Sequence, residues 1–267
     1  MRQLAMLLLC CLCLTAAWAE DEDPQEQLAK AAATEAGSGW IFGGGVAVTD
    51  PGYVGYTRQV TPLPLVFYHS GRFFFAGFSA GYLLSNGEHY RFSLVAVPQI
   101  NRLSADDSPQ LAGIHTRRWS IAGGANLDLF GDWGRFNTGI SHDLLGRNDG
   151  TAANAGYQYS FHLGDWALTP GAGLRWESAA LTKYYYGVSP AEARPGRPAY
   201  APGSASNPYV SLGFSTSISE HWQFRSNIQY TRFGAAIHDS PIVDRSGSTT
   251  LFIGFIYNPR DGAPQGL

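Results

Sequence analysis

The sequence predicts an all-β fold, a transmembrane antiparallel outer-membrane β-barrel of about 12 strands, with ten as the alternative count. Apolar and polar residues alternate along segments of about ten residues, the length that a tilted strand needs to cross a bilayer. The turns between these segments alternate between short and long, as periplasmic turns and outer loops do in such barrels. A charged fraction of 15% and 32 glycines suit strands that face lipid on one side and a narrow lumen on the other.

Composition excludes several functional classes. The chain has 267 residues and a net charge of −3, so it offers no basic surface and nucleic acid is not expected as a partner. All three cysteines lie in the first 13 residues, which excludes a disulfide scaffold, a zinc module and a cysteine nucleophile. The seven histidines are scattered without a pair at ligand spacing, so we expect neither a metal site nor a cofactor.

The first 19 residues are predicted to be a cleaved signal peptide. A positive start at Arg2 precedes the apolar run Leu4–Leu14, and small residues lead to a cleavage site between Ala19 and Glu20. The apolar run is too short for a membrane anchor, the alternative reading. Residues 20–37 are acidic and alanine-rich, and we predict a periplasmic linker there. The barrel is expected over 38–258, with a C-terminal extension at 259–267.

Three observations favour a membrane barrel over a soluble β-sandwich. The polar strand faces consist of Ser, Gly, Gln, Asn and Arg, and the whole chain contains only two lysines. Trp133, Trp166 and Trp222 each follow a tight turn, where an aromatic girdle would meet the lipid headgroups. An exported chain without cysteines also has no disulfides to hold a sandwich together. The predicted strand segments are 40–48, 60–69, 72–83, 90–100, 117–130, 134–142, 154–163, 166–178, 208–219, 222–233 and 249–258.

A closed barrel needs one more membrane-crossing strand than these eleven segments supply. A closed single-chain barrel with both termini in the periplasm has an even number of strands. We therefore predict that Arg72–Leu84 is itself two short strands that bend at Gly77–Gly81, which gives twelve.

Four motifs carry a specific resemblance. The first two are Pro62-Leu63-Pro64 with the aromatic run to Tyr68, and the segment Arg72-Phe73-Phe74-Phe75. The third lies in the longest loop, begins Tyr186, Gly187, Val188, Ser189, Pro190 and continues to Ala193. The fourth, before the last strand, is Asp239, Ser240, Pro241 to Val243. The chain resembles the MipA/OmpV family of outer-membrane proteins, from the end of the signal peptide almost to the C-terminus. Family members usually finish on an aromatic residue, whereas here Tyr257 is followed by Asn258–Leu267.

The resemblance implies a role rather than a reaction. Some members are scaffolds that join a lytic transglycosylase to a peptidoglycan synthase in the Gram-negative envelope, in contact with outer-membrane lipid. Others are adhesins, antigens or stress responders. The alternative function is a small porin-like channel for ions or solutes, and the third is an adhesin or a barrel hydrolase. The family offers no catalytic residue to carry over.

Two triplets contain the residue types of a hydrolase triad, Ser141-His142-Asp143 and His238-Asp239-Ser240. A triad is assembled from separated residues, and neighbours on an extended strand point to opposite faces. We therefore predict a protein that is not an enzyme.

Six charged residues fall on the predicted lumen faces: Arg118, Asp128, Arg135, Arg175, Glu177 and Arg225. They would line a pore or form a charge-paired plug, and the plug is favoured because small barrels are filled by their own side chains. The proline-rich loop 188–208 is expected to be an ordinary exposed loop, the alternative being that it folds over the barrel mouth or contacts a partner.

Overall fold

The alternating segments form strands close to where the pattern predicts them. The computed structural model describes residues 39–56 and 58–258; the predicted signal peptide with Ala19 and Glu20, the linker and the extension 259–267 lie outside the described residues. The strands are β1 (Gly39–Asp50), β2 (Gln59–Ser70), β3 (Phe73–Gly77), β4 (Ser79–Asn86), β5 (Tyr90–Gln99), β6 (Ser120–Gly131), β7 (Gly134–Asp143), β8 (Thr151–Gln158), β9 (Phe161–Leu163), β10 (Trp166–Glu177), β11 (Ala205–Ser217), β12 (Trp222–Arg232) and β13 (Gly247–Tyr257).

These segments close into a barrel of twelve antiparallel strands, which confirms the predicted fold. β8 and β9 pair with successive parts of the same side of β10, so they are two halves of one strand interrupted at Tyr159–Ser160. The last strand pairs with the first along a seam from Phe42 beside Tyr257 to Asp50 beside Thr249. Both ends of the described chain therefore lie at the end of the barrel with the short turns, which we call the periplasmic end.

The extra crossing is the short hairpin β3–β4. Gly77 adopts a φ of +69°, a conformation that favours glycine, and the chain reverses at Phe78, at the start of the predicted bend. Phe73 and Tyr82 pair across the hairpin with ring centroids 4.9 Å apart. The two strands have five and eight residues, against 12 in β2 and ten in β5. The hairpin therefore stops well short of the outer end of the wall.

Five prolines lie within strands, and each sits where the ladder lacks a partner on one side. Pro62 and Pro64 pair with β1, but β3 reaches β2 only from Val66 onward. The other three are Pro98 beyond the end of β4, Pro170 opposite the β8–β9 interruption and Pro208 just beyond the last pair between β11 and β12. Proline has no N–H to donate, so it is tolerated at such edges and excluded from central ladder positions.

Aromatic side chains mark the periplasmic edge of the outward face. Trp166 packs against Phe214, and Trp222 packs against Tyr257, with ring centroids 5.8 and 5.1 Å apart. Above them, apolar side chains such as Ile140 and Val210 are more than half exposed, as a lipid-facing surface requires. The helices are Ala179–Tyr186 and Ala235–His238, with short 3₁₀ turns in the loops. None of the helices within the described ranges is long and apolar enough to cross a bilayer.

Candidate functional site

The long loops at the outer end pack against one another into a covered mouth, which we call the cap. It is formed by the loops that join β1 to β2, β5 to β6, β10 to β11 and β12 to β13. Three of its apolar side chains, Leu103, Leu111 and Ile242, are fully buried, and they come from two different loops. The cap core consists of Tyr53, Leu103, Leu111, Ile114, Val188 and Ile242. The most completely buried large apolar residues of the described chain therefore lie in loops rather than in strands.

The helix Ala179–Tyr186 lies across the mouth. Tyr185 packs on Ala152, an inward-facing residue of β8. Its hydroxyl donates to the carbonyl of Arg118 in the β5–β6 loop, at 3.4 Å. Its own carbonyl accepts from the hydroxyl of Tyr53 in the β1–β2 loop, at 3.3 Å. This helix, which belongs to the β10–β11 loop, thus ties the β1–β2 and β5–β6 loops together.

A buried carboxylate, Glu192, joins two of the loops. The Arg117 guanidinium donates to it at 2.8 Å, and the backbone N–H groups of His115 and Ser189 donate at the same distance. Its side chain is 1% exposed. Burial alone would raise the pKa of Glu192, but these hydrogen bonds and the Arg117 charge outweigh burial and lower that pKa to about 2. The carboxylate is therefore ionised at any ordinary pH.

Arg197 ties the same loops through their backbones. Its guanidinium donates to the carbonyls of Gln110, at 3.1 Å, Ala112, at 3.0 Å, and Glu192, at 2.8 Å. A fixed fork of donors suits several converging carbonyls, and here it satisfies groups that the cap buries. The expectation of an ordinary exposed loop over 188–208 is wrong, because Val188, Glu192 and Arg197 are all buried by contacts with the β5–β6 loop.

Two of the predicted motifs meet within the cap. The Ser240 hydroxyl donates to the carbonyl of Tyr186 at 2.6 Å, across 54 residues of sequence. Gly187 and Val188 are buried, while Ser189 and Pro190 lie at its surface. Asp239 is exposed and Pro241 is half-buried beside buried Ser240. Tyr186, Val188 and Ser240 of these two motifs therefore contribute contacts within the cap.

Beneath the cap, one half of the lumen wall is polar. Asp128 accepts from Arg135 at 2.8 Å and from Asn137 at 3.0 Å, linking β6 to β7. On β10, the Arg175 guanidinium donates to Glu177 at 2.8 Å. Arg225 faces inward on β12 and donates to Gln223 at 2.9 Å. Charged side chains of this half thus bind polar neighbours.

Arg118 is placed differently from the other five predicted lumen charges. β6 begins at Ser120, so Arg118 lies in the preceding loop, where its side chain is exposed. The backbone of Arg118 is held by the hydroxyls of Tyr184 and Tyr185. The alternating pattern continues past the end of the strand, and this is why the sequence assigned the residue to the lumen.

Two adjoining cavities remain within the polar half. One has a volume of about 220 Å³ and the other about 240 Å³, and both are lined by Gln158 and Ser211. Arg135 and Tyr209 line the first, and Arg225 lines the second. The lumen under the cap is therefore narrow but not solid.

The other half of the lumen wall is apolar, which the alternating pattern did not predict. Ile41, Leu65, Phe67 and Ile256 form a buried cluster on β1, β2 and β13. Leu63, Ala76 and Phe252 pack against it. The signal was present in β2, whose inward Leu63, Leu65 and Phe67 alternate with Pro62, Pro64 and Val66, so that both faces are apolar.

Neither triad-like triplet assembles. His142 Nδ1 lies 2.9 Å from the Thr151 hydroxyl on the outward face, while Asp143 accepts from the Ser120 hydroxyl on the inward face. His238 contacts Asp239 at 3.2 Å, but the Ser240 hydroxyl is bonded to a carbonyl. Among the described residues there is also no group of three or more His, Cys, Asp or Glu side chains placed to hold a metal ion.

Comparison with known proteins agrees with this architecture. A family profile described as MltA-interacting protein MipA matches residues 42–258. The chain belongs to the MipA family. A relative in Escherichia coli, the MltA-interacting protein, is 31% identical over 219 residues, covering 81% of this chain and 88% of that protein. The outer-membrane protein OmpV of Vibrio cholerae is 31% identical over 139 residues, covering 52% of this chain and 54% of OmpV.

Solved barrels resemble this MipA-family fold only distantly. An outer-membrane channel from Pseudomonas putida has a TM-score of 0.44 at 9% identity, covering 82% of this chain and 94% of the channel. A FadL homologue from Pseudomonas aeruginosa has a TM-score of 0.42 at 11% identity, covering 86% and 92%. Family membership and the barrel together place the protein in the outer membrane of a Gram-negative bacterium, in contact with its lipid.

Proposed function

We propose that the protein is a non-enzymatic scaffold for cell-wall maintenance, which holds a lytic transglycosylase, and with it a peptidoglycan synthase, at the inner surface of the outer membrane. The name of the E. coli relative, at 31% identity, supports the first partner. The observation that carries the proposal is the cap: a diffusion pore needs an open passage, and here a buried loop core covers the mouth.

A periplasmic enzyme reaches only the short-turn end of the barrel. Four of the five turns there carry an exposed acid: Glu88, Asp132, Asp165 and Glu220. The predicted linker 20–37 adds further acidic residues next to the start of the barrel. We call the four turn acids the acidic rim. Exposed charges of one sign steer an oppositely charged partner, so the scaffold proposal includes a partner with a basic face.

The test measures binding of a purified MltA-type transglycosylase to the mature protein in nanodiscs. We expect binding that weakens with salt, and that falls about tenfold or more when the acidic rim is neutralised by Glu88→Gln, Asp132→Asn, Asp165→Asn and Glu220→Gln together. The matched control neutralises four exposed acids at the outer end, Asp106, Asp149, Asp239 and Asp244, and should leave binding unchanged. Absence of binding at any salt concentration would remove the scaffold role.

A small channel is the second candidate, favoured by the two adjoining polar cavities under the cap. Purified protein in planar bilayers separates the two roles. The scaffold role predicts no discrete conductance steps, because the cap blocks the passage. Regular steps from the unmodified protein would favour the channel.

A further inference from the structure

The barrel wall is incomplete beside β2. Among the described residues, Gln59–Leu65 has no strand partner on the side of β3, and Val97–Gln99 of β5 has none on the side of β4. Both edges rise past the tip of the β3–β4 hairpin at Phe78. At about 3.3 Å per residue, the unpaired edge of β2 is about 23 Å long. We call the region between these two edges the notch.

The cap frames the notch from above. The Ser108 hydroxyl in the β5–β6 loop donates to the carbonyl of Val54 in the β1–β2 loop at 2.7 Å. The Arg102 side chain lies close to the hydroxyl of Tyr56 in the same pair of loops. The notch is therefore bounded by two strand edges, a hairpin and a loop bridge, and it lies in the outer half of the wall.

Prolines protect both edges of the notch against closure by another strand. Pro62 and Pro64 lie on the β2 edge and Pro98 on the β5 edge. A strand that adds to a sheet edge needs alternating donors and acceptors, and proline removes the donors. An added peptide strand is therefore a poor occupant for this region.

The surfaces on both sides of the notch are apolar. Outside, Val60 is 56% exposed, and Pro62 and Pro64 are exposed beside it, continuous with the lipid-facing belt. Inside, Leu63 and Leu65 lead to the apolar half of the lumen wall. Gln59–Leu65 contains no charged residue. A hydrocarbon chain thus meets no charge on β2 between the bilayer and the apolar cluster.

Two arginines lie at the outer rim of the notch. Arg58, directly before β2, is exposed. The Arg102 side chain is 60% exposed, with Asp107 3.6 Å away. Guanidinium groups pair well with phosphate, and basic groups beside a membrane attract anionic headgroups.

We propose that the notch admits an acyl chain of a phosphate-bearing lipid from the surrounding outer membrane. The chain enters between β2 and β5 and lies against Leu63 and Leu65, while the headgroup phosphate binds Arg58 and Arg102. This site does not depend on the scaffold role, since it faces the bilayer and the acidic rim faces the periplasm.

The test is photolabelling of the mature protein in nanodiscs that contain a phosphatidylglycerol with a diazirine in its acyl chain. We expect adducts on the inward-facing residues behind the notch, Leu65 and Ala76, as well as on outward-facing Val210. The internal controls are Ser211 and Asn227, which face inward behind fully paired strands and should carry no adducts. Labelling confined to outward-facing residues would overturn the proposal.

A charge behind the notch sharpens the test. Leu63→Lys should lower the adducts on Leu65 and Ala76 about tenfold or more, because an acyl chain at this position would strip water from the buried ammonium group. The matched control Ser211→Lys places the same charge elsewhere in the lumen and should leave them unchanged. Equal labelling in Leu63→Lys and the unmodified protein would contradict the proposal.

Gel mobility with and without boiling checks that each variant is folded. If Leu63→Lys does not fold, the double variant Arg58→Gln, Arg102→Gln lies outside the strands and replaces it. It should lower the same adducts about fivefold through the lost phosphate attraction, with Val210 unaffected. Unchanged adducts on Leu65 and Ala76 in this double variant would also count against the site.

Discussion

The cap and the notch are opposites in one barrel. In the cap, Leu103, Leu111 and Ile242 are completely buried, and Glu192 has a partner for each of its oxygens. At the notch, two strand edges have no ladder partner, and prolines keep them so. A barrel is usually open along its axis and sealed around its wall by hydrogen bonds. Here the axis is covered by packed loops and the wall is left incomplete. We therefore infer that a molecule enters the lumen more easily from the bilayer than through the mouth.

The largest predicted effect comes from breaking the cap at its buried ion pair. Glu192→Ala leaves Arg117 with its charge buried and uncompensated, which costs about 3–5 kcal/mol in comparable buried pairs. We expect faster hydrogen exchange at the amides of His115 and Ser189, measured by mass spectrometry. Glu220→Ala, an exposed acid at the periplasmic end, is the control and should leave both amides unchanged. Equal exchange in the two variants would mean that Glu192 does not hold the cap.

The next effect tests the apolar core of the cap. Ile242→Ala should cost about 3 kcal/mol of local stability, because it leaves a cavity where the side chain is fully buried. The measurement is the rate of proteolytic cleavage in the cap loops. Ile253→Ala, on the lipid-facing side of β13, is the matched control and should leave that rate unchanged. A cap that resists the protease equally in both variants would contradict the packing.

A smaller effect is expected from pH. Glu192 has a pKa lowered from its ordinary 4.5 to about 2 in the folded cap. Its contribution to stability is therefore complete above pH 4.5 and is lost as the pH falls toward 2. We expect cap amides to exchange faster, relative to their intrinsic rates, between these two values. Glu192→Gln should flatten that dependence, and a steep dependence that survives in Glu192→Gln would assign it to another group.

The smallest predicted effect concerns the prolines at the β2 edge of the notch. Replacing Pro62 and Pro64 by valine restores two N–H donors at the edge of β2, with a change in stability below about 1 kcal/mol. We expect self-association through the exposed edge, seen as a larger particle mass by light scattering in detergent. Pro208→Val, at a strand edge far from the notch, is the control and should remain unchanged. A double variant with unaltered mass would mean that the prolines do not guard this edge.

The sequence was most informative for the strands, in which the side chains alternate with a period of two residues. Alternation in β11 and β12 predicted which face meets lipid, because side chains on a strand repeat every two residues. The need for an even strand count correctly divided Arg72–Leu84 into two strands. Alternation also placed Arg118 in the lumen, and this was wrong because alternation does not show where a strand begins.

The cap could not be predicted in the same way. Its loops have no periodic pattern, and its contacts join residues far apart, such as Arg117 and Glu192, which are 75 residues apart. The motifs Tyr186–Pro190 and Asp239–Pro241 showed which loop residues mattered but not that they meet. The apolar half of the lumen was not predicted for another reason. Both faces of β2 are apolar, so its sequence does not show that an apolar face points into the lumen.

The seam between β1 and β13 has a consequence for how the protein is made. Thr49 and Thr250 are separated by 201 residues in the sequence, and their hydroxyl oxygens lie 3.1 Å from each other across this seam. Bringing such distant segments together is entropically costly and slow. Until the last strand arrives, β1 and β12 both present unpaired edges to the periplasm. We therefore expect closure of the barrel to require the last strand, and a chain truncated before Gly247 should aggregate rather than form a smaller barrel.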